Sequence, residues 1–72
     1  MPLTMLSSGR DARIIACNTE GPTKKFLEAL GIIPGVTISV ISRIKGNLIV
    51  SVKGTRLALN KGIANKLLVQ CA

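Results

Sequence analysis

Two thiols, three carboxylates, ten basic side chains and no imidazole make up the reactive inventory of this 72-residue chain. A transition-metal site with open positions is built from imidazole and carboxylate, and a closed one needs about four thiolate or imidazole ligands. Here Asp11, Glu20 and Glu28 are scattered, and Cys17 and Cys71 belong to no CxxC pair. Pairing of the first and last strands could bring the two thiols together, yet two thiols without further donors make a poor iron site. Nucleophilic catalysis fares no better. Ser7, Ser8, Ser39, Ser42 and Ser51 have no histidine to take a proton, and Lys61 beside Gly62 lacks the glycine-rich loop that cradles phosphates. These residue types point to a protein that is not an enzyme and uses no cofactor, with the cysteines as small, reduced core residues.

Charge is the chemistry that remains. Ten Lys and Arg against three acids give a formal +7, a field strong enough to speed encounter with an acidic surface. The same charge also serves solubility. Small basic barrels bind nucleic acid as well, but recognition of single strands relies on aromatic platforms. Phe26, assigned to a helical core face, is the sole aromatic residue. Duplex binding through phosphates stays open, and its mark is steep salt dependence. The aromatic-lined groove that takes proline-rich peptides is missing.

The elements that position these groups turn on Leu30–Gly35, LGIIPG. Pro22–Leu30 places Phe26, Leu27 and Leu30 on one helical face and Lys24, Lys25 and Glu28 on the other. Gly31 suits the left-handed residue that closes a helix, with Ile32 folding back over Leu27 in a Schellman cap. Pro34 forbids a return to helix, and Gly35 permits a tight turn into a strand.

Strands follow by parity. Val36, Ile38, Val40 and Ile44 share one face of Val36–Ile44, and Leu48, Val50 and Val52 continue it. Pairing these faces demands an odd loop, so a three-residue Lys45–Asn47 connection, with Ile44 opposite Leu48, is expected. A turn or bulge at Lys53–Thr55 then switches parity, putting Leu57 and Leu59 inward. Asn60 caps one helical turn through Ile63 and Ala64, and Leu67–Gln70 closes against a first strand at Arg13–Cys17. The expected fold is one domain over 1–72, mainly β: a small SH3-like barrel of about five antiparallel strands with one short helix inserted after the first. No apolar run approaches the roughly 20 residues that span a bilayer, and Met1–Arg10 has no signal-peptide pattern. A cytoplasmic protein without stable membrane insertion is expected, and nothing sets an oligomeric state.

The order FLEALGIIPG, VTISVISR, LIVSVKG and TRLALNKGIANKLLV resembles the ferrous iron transport protein A (FeoA) family over nearly the whole chain. The most specific strings are LGIIPG and, at Val52–Leu59, VKGTRLAL. The resemblance implies an SH3-like domain with Leu30, Gly31, Pro34, Gly35 and Gly54 as structural motif positions. It also implies a partner, the membrane ferrous iron transporter with its cytosolic GTPase domain. Similar domains close some metal-dependent repressors. The chain departs from the family where a proline- and glycine-containing loop between the second and third strands is replaced by the short Lys45–Asn47.

Ile41 and Ile49 break parity outward, with Arg43, Lys45 and Lys53 on the outer face of the same hairpin and Arg56 close beyond the turn. In the three-residue-loop register Ile49 opposes Arg43 and Ile41 opposes Ser51. Two anchors inside a cationic rim form a protein-docking patch, unless the helix or the N-terminal segment covers them. The expected function is an accessory or regulatory role in ferrous iron uptake by docking to the transporter, with nucleic-acid binding through phosphates as the runner-up.

Overall fold

The computed structural model describes residues 1–71. A 3₁₀ turn at Leu3–Met5 precedes β1 (Asp11–Cys17), α1 (Gly21–Ala29), β2 (Thr37–Ile44), β3 (Asn47–Val52), β4 (Thr55–Asn60), α2 (Lys61–Ala64) and β5 (Leu67–Cys71). The five strands form one antiparallel sheet in the order β4-β3-β2-β1-β5. Inward residues from every strand, among them Ile14, Val40, Val50, Leu59 and Val69, join a single core. This is the expected mainly β, SH3-like architecture with one inserted helix. No helix among the described residues is long and apolar enough to cross a membrane.

The LGIIPG hinge forms as its residue types require. Gly31 sits at φ +83°, its N–H donates to Glu28 O (3.0 Å), and the Ile32 N–H donates to Leu27 O (2.9 Å). That pair of bonds is the Schellman cap, and Leu27 and Ile32 are both buried in the core. Gly35, at φ +94°, donates its N–H to Ile14 O (2.7 Å) while Ile14 donates to Val36 O (2.9 Å), which pins the hinge to β1. The cap of α2 also forms, with Asn60 Oδ1 accepting from the Ile63 N–H at 2.8 Å.

Phe26 corrects the expected helix face. It is 55% exposed, and Leu30 is exposed too. Burial of α1 is centred on Thr23 and Leu27, and the side chain following or preceding Leu27 lies about 100° round the axis. With its C-terminus pinned by the cap, so short a helix buries one narrow stripe.

The β2–β3 hairpin corrects the expected register. Its loop is the two-residue Lys45–Gly46 turn, with Ile44 opposite Asn47, and a bulge lies between Val40 and Ser42. Lys45 (φ 44°) and Gly46 (φ 83°) are both left-handed, as a type I′ turn requires. The parity conflict is therefore absorbed inside β2 at Ile41, not in the loop. Beyond the bulge every β2 side chain changes face. Arg43 moves to the inner side opposite Leu48, and Ile44, expected in the core, moves outward and is 55% exposed. Lys53–Gly54 forms a second turn of the same kind, with Val52 opposite Thr55. Leu57 and Leu59 point inward beyond it, as parity predicts.

The N-terminal segment, unassigned from sequence, supplies Leu3 and Leu6 to the core at 0% and 1% exposure. Arg43 holds it in place. Nη2 donates to the Thr4 carbonyl (2.8 Å) and to the Leu6 carbonyl, and Nη1 reaches Ser8 Oγ at 3.5 Å.

Candidate docking surface

The bulge sets the chemistry of the outer face. Ser42 opposes Ile49, which opposes Ala58 on β4, and Ser51 opposes Arg56. Ile44 lies diagonally from Ile49 on the same face, and the bulged Ile41 is 37% exposed. Ile49 itself is half-buried. The exposed apolar patch thus contains Ile41, Ile44 and Ile49, with Lys45 on the adjoining turn and Arg56 one pair away. Of the rim expected from sequence, Lys45, Lys53 and Arg56 are exposed, whereas the Arg43 guanidinium is engaged with the N-terminal segment and does not stand beside Ile49. The Lys53 side chain runs over the C-terminus of α1, where a Cβ added to Gly31 would meet its Cδ at 3.7 Å and its Nζ at 3.8 Å. A cation there faces the negative end of the helix dipole.

Sequence reasoning missed Ile44, although a signal was present. The strings IKGN and VKGT recur eight residues apart, from Ile44 and from Val52, and the same Lys–Gly pair makes the same turn in both hairpins. Reading the first from the second would have forced the bulge.

The cysteines do not meet. In the antiparallel β1–β5 pair Cys17 opposes Leu67 and Ala12 opposes Cys71, so the thiols sit at opposite ends of the ladder. Cys71 is exposed and not a core residue; Cys17 is half-buried. Burial pushes the Cys17 thiol up from its ordinary value, the nearby Glu28 carboxylate adds to the rise, and Lys24 opposes it. Cys17 lines a cleft of about 300 Å³ with Thr19, Lys24 and Glu28 over an apolar floor of Leu27 and Ile32. The Thr19 hydroxyl is buried there with no hydrogen-bond partner among the described residues. A neutral thiol, one carboxylate and one ammonium supply neither a nucleophile–base pair nor a ligand set. No group of three His, Cys, Asp or Glu side chains suited to a metal occurs among the described residues.

A curled five-stranded antiparallel sheet with a helix inserted between its first two strands defines the class as a small SH3-like barrel domain. The FeoA domain model matches residues 1–71, and the chain belongs to this family, which is associated with ferrous iron transport. Among solved structures, an iron uptake regulatory protein (FeoA) is 29% identical with a TM-score of 0.89, covering 100% of this chain and 96% of that one. The Stenotrophomonas maltophilia FeoA complexed with zinc, described as a prokaryotic SH3 domain protein, is 22% identical with a TM-score of 0.85, covering 97% and 89%. The IdeR protein of T. acidophilum is 29% identical with a TM-score of 0.89, and this chain covers 34% of its length. No curated protein sequence matches the chain.

Proposed function

We propose that this protein is a cytosolic accessory of ferrous iron uptake that acts by docking to an acidic surface of the membrane ferrous iron transporter's cytosolic GTPase region. The observation that carries the reading is the outer face of β2–β3–β4, where Ile41, Ile44 and Ile49 lie beside Lys45 and Arg56 on a molecule of net charge +7. Exposed apolar side chains among cations suit a protein interface, with the anchors governing dissociation and the rim governing association. Family membership and one neighbour support the assignment to iron: the FeoA structure of 29% identity is named as an iron uptake regulatory protein.

The test is kinetic binding to the transporter's cytosolic region. Ile41→Ser with Ile44→Ser removes two exposed anchors without opening the core, and should raise the dissociation constant at least about tenfold, mostly through faster dissociation. Lys45→Gln with Arg56→Gln should slow association and flatten its salt dependence. Unchanged binding by the double isoleucine variant refutes this face as the interface. Tight, salt-steep binding of wild-type protein to duplex DNA or RNA without transporter binding replaces the reading with nucleic-acid recognition.

A further inference from the structure

The sheet ends in two edges, and they differ. At β5 the edge is occupied by the chain's own N-terminus: the Val69 N–H donates to Met1 O (2.7 Å), the Met1 amine donates to Val69 O (2.9 Å), and Pro2 bridges Leu68. At β4 nothing comparable lies alongside among the described residues. The two-residue Lys53–Gly54 turn makes Val52 and Thr55 a hydrogen-bonded pair, so Leu57 and Leu59 direct their backbone groups to β3. Arg56 and Ala58, in the alternate pairs, turn their N–H and C=O groups away from the sheet. Among the described residues no other segment bonds to the backbone of Thr55–Leu59.

Natural edges are usually blunted by proline, a bulge, brevity, a covering element or charged side chains. Of these β4 has only charge, Arg56 on the strand with Lys53 and Lys61 at its ends. It runs in unbroken register with β3 for six residues, carries no proline, and its one charged residue, Arg56, faces outward. The surroundings of this edge are cationic. Lys53 stands at one end and Lys61 at the other, where the Lys61 N–H donates to Gly46 O (3.0 Å) and brings the Lys45–Gly46 turn alongside. The acids lie elsewhere, with Asp11 on β1, Glu20 before α1 and Glu28 within α1.

We propose that the β4 edge receives a strand from a protein partner, an extended segment carrying acidic side chains that pairs with Arg56 and Ala58. The inference rests on the docking reading above and specifies its mode. The edge is continuous with the isoleucine patch because Ala58 sits directly beside Ile49, so an added strand extends the same face. Main-chain bonds supply affinity and the flanking cations supply specificity for acid. A second copy of the chain is a poor occupant, since each copy brings a charge of +7 to the contact.

Two probes test this: a short blocked peptide of alternating glutamate and valine, and the transporter's cytosolic region. The acidic peptide should slow hydrogen exchange at the Arg56 and Ala58 amides at least about tenfold, while its lysine–valine counterpart leaves them unchanged. Ala58→Pro removes an outward N–H without touching the β3–β4 ladder, and should weaken both probes about tenfold or more with the fold retained. Arg56→Glu supplies a second variant, which should weaken the acidic probe and gain the lysine one. Protection by both peptides alike, or by neither, overturns the inference, as does protection of the same amides by self-association in the absence of any peptide. Undiminished binding of the transporter region by Ala58→Pro overturns the edge and leaves docking through the isoleucine patch intact. Protection by the acidic peptide with no transporter binding by wild-type protein keeps the edge and overturns the transporter as its partner.

Discussion

Gly31 is where one residue's conformational freedom decides local structure. At φ +83° an L side chain is strained, and the cap that this angle permits joins Leu27 to Ile32 in the core. Space is not the obstacle, because the nearest atoms to an added Cβ belong to the flexible Lys53 side chain, at 3.7 Å and beyond. Gly31→Val should therefore lower stability by about 1–3 kcal/mol through backbone strain alone. That is a large share of the ~5–15 kcal/mol available to a typical domain. Urea melts measure it, with Gly31→Asn expected to lose less because asparagine tolerates the left-handed region. A Gly31→Val midpoint equal to wild type would contradict the cap as the source of the constraint.

Between elements, the paired hairpins carry a design feature that is testable without a partner. Lys45 and Lys53 adopt φ 44° and 51° at the first position of type I′ turns, where asparagine is preferred. Lys45→Asn should stabilise by about 0.5–1 kcal/mol, since only the backbone preference changes. Lys53→Asn should gain less, because it also removes the side chain lying over the end of α1. Equal gains in thermal or chemical melts would show that the Lys53 contact contributes nothing. The same comparison separates the turns from the bulge at Ile41, which neither substitution alters.

For the molecule as a whole, the family name invites the expectation of a metal site, and the chain's own donors argue against a tight one. Cys17 and Cys71 are held at opposite ends of the β1–β5 ladder, and the Cys17 thiol is pushed up by burial, which opposes the thiolate a metal needs. Glu28, the acid near Cys17, brings one carboxylate. We expect ferrous iron to bind no tighter than about millimolar in anaerobic calorimetry. A stoichiometric site tighter than about 10 μM would contradict the argument, and Cys17→Ser would then be the first variant to examine. Iron enters this reading as the transporter's cargo, not as a resident ion.

How much could be read without the fold follows from the range of each interaction. The Schellman cap at Gly31, the Asn60 cap and the switch of parity after Gly54 depend on residues within a few positions of one another, so their chemistry was legible in the string of residue types. Membership of the FeoA family, whose domain model matches residues 1–71, was legible in the strings of residue types as well. The register of β2 was not. Either an odd loop or a bulge satisfies the alternation of Val36–Ile44 against Leu48–Val52, and the repeated Lys–Gly turn with the bulge at Ile41 was the arrangement adopted. That single displaced residue exchanged the places of Arg43 and Ile44, turning an expected rim cation into the clamp on the N-terminal segment and an expected core residue into part of the exposed patch. Leu3 and Leu6 show the same limit from the other side. Nothing periodic marks so short a segment, and its burial arises from contact with strands distant in sequence: Met1 pairs with Val69, and Arg43 reaches back to Thr4 and Leu6. Local propensity determined the caps, turns and strand-forming stretches; tertiary packing decided which residues the one narrow core would accept, and so which were left on the surface.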